Sequence, residues 1–171
     1  AFGGMAWWDA EEADYQRNLY RPFAVDGEVR MEAGTRVLRM AISDERWINN
    51  QWTPIIPDHG KLVHMYVMRT PQLDGFAHIH PVLVDSNTFD VALPPLPAGD
   101  YVFYAGITHE SGYAQTLVDT VAVPAAPAAA DASAPEALMP DADDSGHVGP
   151  EYDAAVPQAN ASVTLADDVV L

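Results

Sequence analysis

The hydrophobic positions follow the two-residue period of β-strands through the middle of the chain. Apolar and polar side chains alternate in seven segments bounded by Gly, Pro and Asp turn residues, which predicts about seven strands. The predicted strands are Glu28–Glu32, Thr35–Ser43, Leu62–Arg69, Phe76–Pro81, Phe89–Leu93, Asp100–Ile107 and Tyr113–Val123. Because no helical pattern of 10–15 residues separates the strands, crossover connections of a parallel sheet are excluded. We predict an all-β fold, an antiparallel Greek-key β-sandwich.

The two ends of the chain differ in pattern from this body. Residues 1–26 are predicted to form an N-terminal arm, with a helix over Ala6–Tyr20 that ends before Pro22. Residues 27–123 form the sandwich domain. Residues 124–171 form an Ala/Pro/Asp-rich extended tail, in which only Ser162–Leu165 and Val169–Leu171 suggest a terminal strand. One feature inside the body is irregular, since Arg36, Arg39 and Met40 break the alternation and suggest a bulge or an edge strand.

The charge distribution narrows the classes of partner. All eight Lys and Arg lie within residues 1–69, and 15 of the 25 Asp and Glu lie beyond them. A formal net charge of −17 repels phosphate backbones, so we expect no nucleic-acid partner. The chain has no cysteine, which excludes disulfides and thiolate metal ligands. The apolar start that becomes abruptly acidic suggests a periplasmic or other extracytoplasmic location, with membrane proximity or an anchor at the N-terminal arm.

The arm and the tail suggest contacts with protein partners. A Pro-rich segment is already extended, so it loses less entropy when it binds, and its acids would seek Lys and Arg on a partner. Large apolar side chains in the arm and in the Asp44–Pro57 loop either pack on the chain's own core or offer a contact surface. The predicted partner-contact residues are Trp7, Trp8, Trp47, Trp52, Pro124, Pro127, Pro135 and Pro140.

Four of the six histidines lie between Asp58 and Pro81, and three of them suggest a metal site. His78 and His80 point to one face of their strand, and His64 lies on the preceding strand. If Arg69 paired with Phe76, His64 would face the other side, whereas a register shifted by one residue would unite the three rings. Together they could bind copper or zinc through imidazole nitrogen. The alternative is that each histidine is hydrogen-bonded to the backbone or a loop.

The segments HGKLVHMYVMR, FAHIHP and LPAGDYVFYAGI, within about residues 58–123, resemble a cupredoxin/immunoglobulin-like β-sandwich domain of bacterial extracytoplasmic proteins. The resemblance implies His64, His78 and His80 as a ligand-like group, with Met65 or Met68 as softer neighbours. It also implies a link to membranes and, in some such proteins, to copper handling. A blue-copper site is excluded, because that site needs a cysteine.

No enzyme motif accompanies these residues. His109-Glu110-Ser111 brings a base, an acid and a hydroxyl together in sequence, but adjacent loop residues rarely adopt triad geometry. The main functional hypothesis is therefore a non-catalytic extracytoplasmic accessory subunit without a cofactor. Its arm and tail would dock on a larger membrane-associated complex, of the kind used in electron transport or photosynthesis. The alternative is a periplasmic copper- or zinc-binding protein that uses the histidine hairpin.

Overall fold

The computed structural model describes residues 5, 7–13, 21–126 and 141–149. Within these ranges the chain contains two short helices: α1, whose described residues are 5 and 7–13, and α2, Glu45–Ile48. The strands are β1 Val25–Glu32, β2 Thr35–Ile42, β3 Ile55–Ile56, β4 His64–Arg69, β5 Gly75–Ile79, β6 Val82–Leu83, β7 Thr88–Ala92, β8 Gly99–His109, β9 Ala114–Val123 and β10 Ser145–Val148.

The strands form two antiparallel sheets, which confirms the predicted all-β sandwich. One sheet has the order β1-β2-β7-β6, and the other has the order β10-β5-β4-β8-β3 with β9 paired to β8. All seven predicted strands are present. The chain crosses between the sheets after β2, after β5 and after β7, so neighbours in a sheet are often distant in sequence.

The hydrophobic core is built from residues that alternate along the strands. In β4 and β5 the inward residues are Met65, Val67, Ala77 and Ile79, all at most 1% exposed. The intervening residues therefore point away from the core, because successive side chains of a strand face opposite sides. This alternation places the histidines of β4 and β5 on the outer face of the six-stranded sheet.

The irregular pattern in β2 has a different cause from the one predicted. This strand is neither bulged nor at an edge, since it pairs in continuous register with β1 and β7. Arg36 is only 5% exposed, and its guanidinium donates hydrogen bonds to the carbonyl oxygens of Leu96, Pro124 and Pro94. Arg39 pairs with a buried carboxylate on β7. Polar residues are tolerated in this central strand because each has a partner.

Part of the predicted tail joins the sandwich. Residues 145–148 form β10, which pairs antiparallel with β5, so that Ser145 lies opposite His78 and Val148 opposite Gly75. The strand is fixed at its far end by the N–H of Gly149, which donates to the carbonyl oxygen of Asp74. The suggested strands at Ser162–Leu165 and Val169–Leu171 lie outside the described residues.

Helix α2 begins with a charged cap at Asp44. The Asp44 carboxylate accepts hydrogen bonds from the backbone N–H groups of Arg46 and Ala24 and pairs with the Arg46 guanidinium. These bonds, of which the Arg46 side chain contributes most, lower the pKa of Asp44 from 3.8 to about 2. The cap thus ties the loop after β2 to the segment that enters β1.

We expect Asp44→Asn to lower the free energy of unfolding by about 1–2 kcal/mol at neutral pH. Asparagine still caps the helix, so the loss of stability measures the contribution of the Asp44 charge. Because the folded pKa lies below the unfolded value, the stabilisation is present above pH 3.8 and disappears as the pH falls through about 2. Urea unfolding at several pH values should show the difference between wild type and variant shrinking over that range. The exposed neighbour Glu45→Gln is the control, and an equal loss for both variants would contradict the assignment to the Asp44 cap.

Candidate metal centre

The strand register brings the three predicted histidines together. Tyr66 lies opposite His78, and Met65 lies opposite Ile79, which is the register that sequence alone left open. One ring nitrogen from each of His64, His78 and His80 lies within 4.8 Å of the others. The ring centroids are 4.6 Å apart for His78 and His80, 4.9 Å for His64 and His80, and 5.9 Å for His64 and His78. The alternative register, which would separate them, is wrong.

Two of the three rings are oriented by acceptors outside the cluster. The Nδ1–H of His80 donates to Oδ1 of Asp144 at 2.8 Å, and Nε2 of His64 lies 3.0 Å from the carbonyl oxygen of Asp58. A carbonyl oxygen only accepts, so Nε2 of His64 carries the hydrogen. Each ring therefore has one nitrogen held from outside and one left with a free lone pair, namely Nε2 of His80 and Nδ1 of His64. This is the arrangement that orients histidine ligands in metal sites.

The third ring has a buried nitrogen without a hydrogen bond. Nε2 of His78 is buried and has no hydrogen-bond partner among the described residues. Burial, and then the neighbouring His80 and His64 rings, lower the pKa of His78. The neutral imidazole, which is the form that binds a metal, is therefore favoured. Tyr66, which lies opposite His78 on the neighbouring strand, stacks on the ring at a centroid distance of 4.6 Å. A buried polar atom without a partner requires a physical explanation.

The donor set fits a borderline divalent cation. Zinc bound by imidazole at 2.0–2.1 Å in a tetrahedron would hold its nitrogens about 3.3 Å apart. The ring nitrogens lie within 4.8 Å of one another, so they need to approach by up to about 1.5 Å. Met65 cannot contribute a thioether, because it is fully buried on the core side of the sheet. Met68 shares the outer face but lies opposite Phe76, two residue pairs beyond Tyr66 and His78. Imidazole ligands without thiolate suit Zn(II) or Cu(II).

A second group of ligand-type side chains adjoins the first at His64. Asp58, His59 and His64 also offer ligand atoms within 4.8 Å of one another, but Asp58 and His59 are exposed. His59 and Gly60 both have positive φ, 49° and 84°, between Asp58 and Lys61, whose backbones exchange two hydrogen bonds. These angles are typical of a type I′ turn. The turn holds the Asp58 carbonyl against His64 and leaves the His59 ring in solvent.

A cavity of about 320 Å³ is lined in part by His80 and by Gly60 and Lys61 of the neighbouring turn. Asp141 and Asp144 of the tail and Asp90 of β7 also line it. Lys61 forms an ion pair with Asp141. The described part of the tail therefore borders the histidine cluster directly. The sequence alone did not predict this position.

His109 and His147 lie apart from the cluster. His109 is 3% exposed, with Nδ1 2.6 Å from the carbonyl oxygen of Thr53 and Nε2 2.8 Å from the amide nitrogen of Gln115. It is a core histidine whose two nitrogens are both satisfied. His147 is exposed on β10 opposite Phe76. Neither belongs to a group of ligand atoms within the described residues.

The predicted partner-contact residues differ in exposure, and some lie outside the described residues. Trp7 and Trp8 are 55% and 67% exposed, so they are available to a partner. Trp47 is only 5% exposed and stacks on the half-buried Trp52 at 3.9 Å, and it donates to the carbonyl oxygen of Ser86. The loop of Trp47 folds back on the core, so little of this side chain is available to a partner, and its role as a partner contact stays a prediction. Pro124 is exposed at the ring, while its carbonyl oxygen accepts from Arg36. The remaining residues, Pro127, Pro135 and Pro140, lie outside the described residues.

No helix among the described residues is both long and apolar enough to cross a membrane. Comparison of the chain with protein-family models, with curated proteins and with solved structures found no match. The antiparallel sandwich is established by the structure alone, and the cupredoxin/immunoglobulin-like likeness stays a resemblance in a few strand segments.

Proposed function

We propose that this protein binds one Cu(II) or Zn(II) ion on the outer face of its six-stranded sheet, through His64, His78 and His80. The observation that carries the proposal is Nε2 of His78, which is buried without a hydrogen bond beside two other imidazoles. An ion bound there would satisfy this nitrogen and use the lone pairs that the orientation of His64 and His80 leaves free.

The chemistry of the site favours reversible binding by three protein ligands. Three imidazoles leave a further coordination position for water or for a group from another molecule. His64 and Tyr66 line a groove of about 390 Å³ that also contains His59, which gives an ion a polar approach from solvent. An open site of this kind suits storage or transfer of a metal ion better than a purely structural role, which normally uses four protein ligands.

Titration of the metal-free full chain with Zn(II) or Cu(II) tests the proposal. We expect uptake of one tightly bound ion per chain at micromolar concentration, measured by calorimetry and native mass spectrometry. Mg(II) is the matched control, because it prefers oxygen ligands and should not compete. Absence of uptake of both Zn(II) and Cu(II) at micromolar concentration would end the proposal.

The docking role is a second candidate, compatible with the first. Exposed Trp7 and Trp8, with ring centroids 4.8 Å apart, favour it because adjacent exposed tryptophans are typical of contact surfaces. We also propose, from the sequence, that the protein is extracytoplasmic and attached to a larger complex. A part in electron transport or photosynthesis is a proposal of the same kind.

A further inference from the structure

We propose that the C-terminal segment 141–149 is part of the metal centre: Asp144 positions His80 as a ligand, and metal binding and docking of this segment strengthen each other. The inference rests on the proposed function, since it names the residue that orients one of the three ligands. It concerns residues that the sequence places in a tail and the structure places on the edge of the sheet.

The contact between Asp144 and His80 is buried and consists of two hydrogen bonds. The side chains of His80 and Asp144 are 4% and 7% exposed. Oδ1 of Asp144 accepts both the Nδ1–H and the backbone N–H of His80, at 2.8 and 3.0 Å. The carboxylate therefore fixes the position of the strand end and the tautomer of the ring together. With Nδ1 protonated, Nε2 is the nitrogen left for a metal.

The carboxylate is itself held in place by the segment's own turn. Oδ2 of Asp144 accepts the backbone N–H of Asp141 at 2.8 Å, and the N–H of Asp144 donates to the carbonyl oxygen of Asp141 at 3.0 Å. The Asp141 carboxylate pairs with Lys61, which follows the turn that orients His64. One four-residue turn thus contacts the supports of two different ligands.

The short length of β10 explains why metal binding and docking of this segment should be coupled. A four-residue edge strand whose residues are all exposed contributes little stability of its own. It is held at one end by the contacts of Asp141 and Asp144 and at the other end by Gly149 and Asp74. A metal on Nε2 polarises the ring and strengthens the Nδ1–H bond to Asp144, so an ion should hold the segment more firmly. By reciprocity, the docked segment must raise the affinity for the ion by the same factor.

The test compares Asp144→Ala with Asp143→Ala in the full chain, using Zn(II) as the probe. Loss of a carboxylate that orients a ligand histidine typically lowers metal affinity about 10–100-fold, and we expect this for Asp144→Ala. Asp143 is exposed, and its backbone N–H donates to the Asp141 carboxylate. Asp143→Ala removes a nearby carboxylate but no hydrogen bond to His80, so it should lower the affinity far less than Asp144→Ala does. Asp144→Asn keeps an acceptor oxygen but loses the charge, and it should give an intermediate affinity.

Two further measurements separate positioning from a general loss of structure. Nitrogen-15 NMR of the metal-free protein should show His80 protonated at Nδ1 in the wild type and in Asp144→Asn, and a mixture of tautomers in Asp144→Ala. Hydrogen exchange should slow across residues 145–148 when Zn(II) is added to the wild type. Equal Zn(II) affinity in Asp144→Ala and wild type, or exchange in β10 unchanged by Zn(II), would overturn the inference while leaving the three-histidine site standing. A wild type that binds neither Zn(II) nor Cu(II) would instead remove the proposed function.

Discussion

Replacing His78 and His80 together by alanine is expected to abolish uptake of Zn(II) and Cu(II). The change removes two of the three imidazoles, so the loss of affinity should exceed the roughly 10–100-fold effect of an outer-shell change. Calorimetric titration of the double variant measures this directly. The matched control is His147→Ala, which removes an exposed imidazole from the neighbouring strand and should leave the affinity unchanged.

The single variant His78→Ala distinguishes loss of a ligand from loss of the fold. Its Nε2 has no hydrogen-bond partner among the described residues, so removing it leaves no partner atom unsatisfied. We expect the stability of the metal-free protein to change by no more than about 1 kcal/mol. In the wild type, metal at about 100 times its dissociation constant adds about 2.7 kcal/mol, which raises Tm by roughly 5–11 °C. That rise should vanish in His78→Ala, and a variant that keeps it would show that His78 is not a ligand.

Most of the fold could be predicted because its signals are local. Most of the seven predicted strands bury one face, and burial of one face is what creates a two-residue period. β7 differs, since all five of its residues are buried. β3 and β6 have two residues each and are too short to show a period. β10 was missed for a different reason. Its sequence SGHV is exposed at every position, so no pattern of burial marks it.

The three-histidine cluster was predicted as a set of residues but not as a geometry. The spacing of His78 and His80 placed both on one face, because neighbours two apart on a strand share a side. Whether His64 joined them depended on a one-residue choice of register, which the turn between β4 and β5 decides. Asp144 was beyond reach of sequence reasoning, since it lies 64 residues from His80 and approaches it only because β10 pairs with β5.

The four-stranded sheet contains a partly buried ion pair, and mutations of this pair should have the largest effects on stability in that sheet. Asp90 of β7 lies directly across from Arg39 of β2, and its side chain is only 5% exposed. Arg39 binds it through two nitrogens, with Nε 2.7 Å from Oδ1. Arg30 reaches the same carboxylate at a longer 3.4 Å and also pairs with Glu32. Most of the compensation for burying Asp90 therefore comes from Arg39.

We expect Arg39→Met to lower the free energy of unfolding by about 3 kcal/mol, because it leaves a buried carboxylate almost without a partner. Tm should fall by roughly 6–12 °C. Arg30→Met, which removes only the longer contact, should cost less than about 1 kcal/mol. The double variant Arg39→Met/Asp90→Leu should recover most of the loss, since apolar replacement of both partners removes the uncompensated charge. Thermal unfolding of the four proteins measures these differences, and an Arg39→Met variant as stable as Arg30→Met would show that the pair does not support β7. Asp90 also lines the cavity that borders His80. Arg39→Met should nevertheless weaken metal binding less than Asp144→Ala does, because it removes no hydrogen bond to a proposed ligand. This comparison separates stabilisation of the sheet from positioning of a ligand.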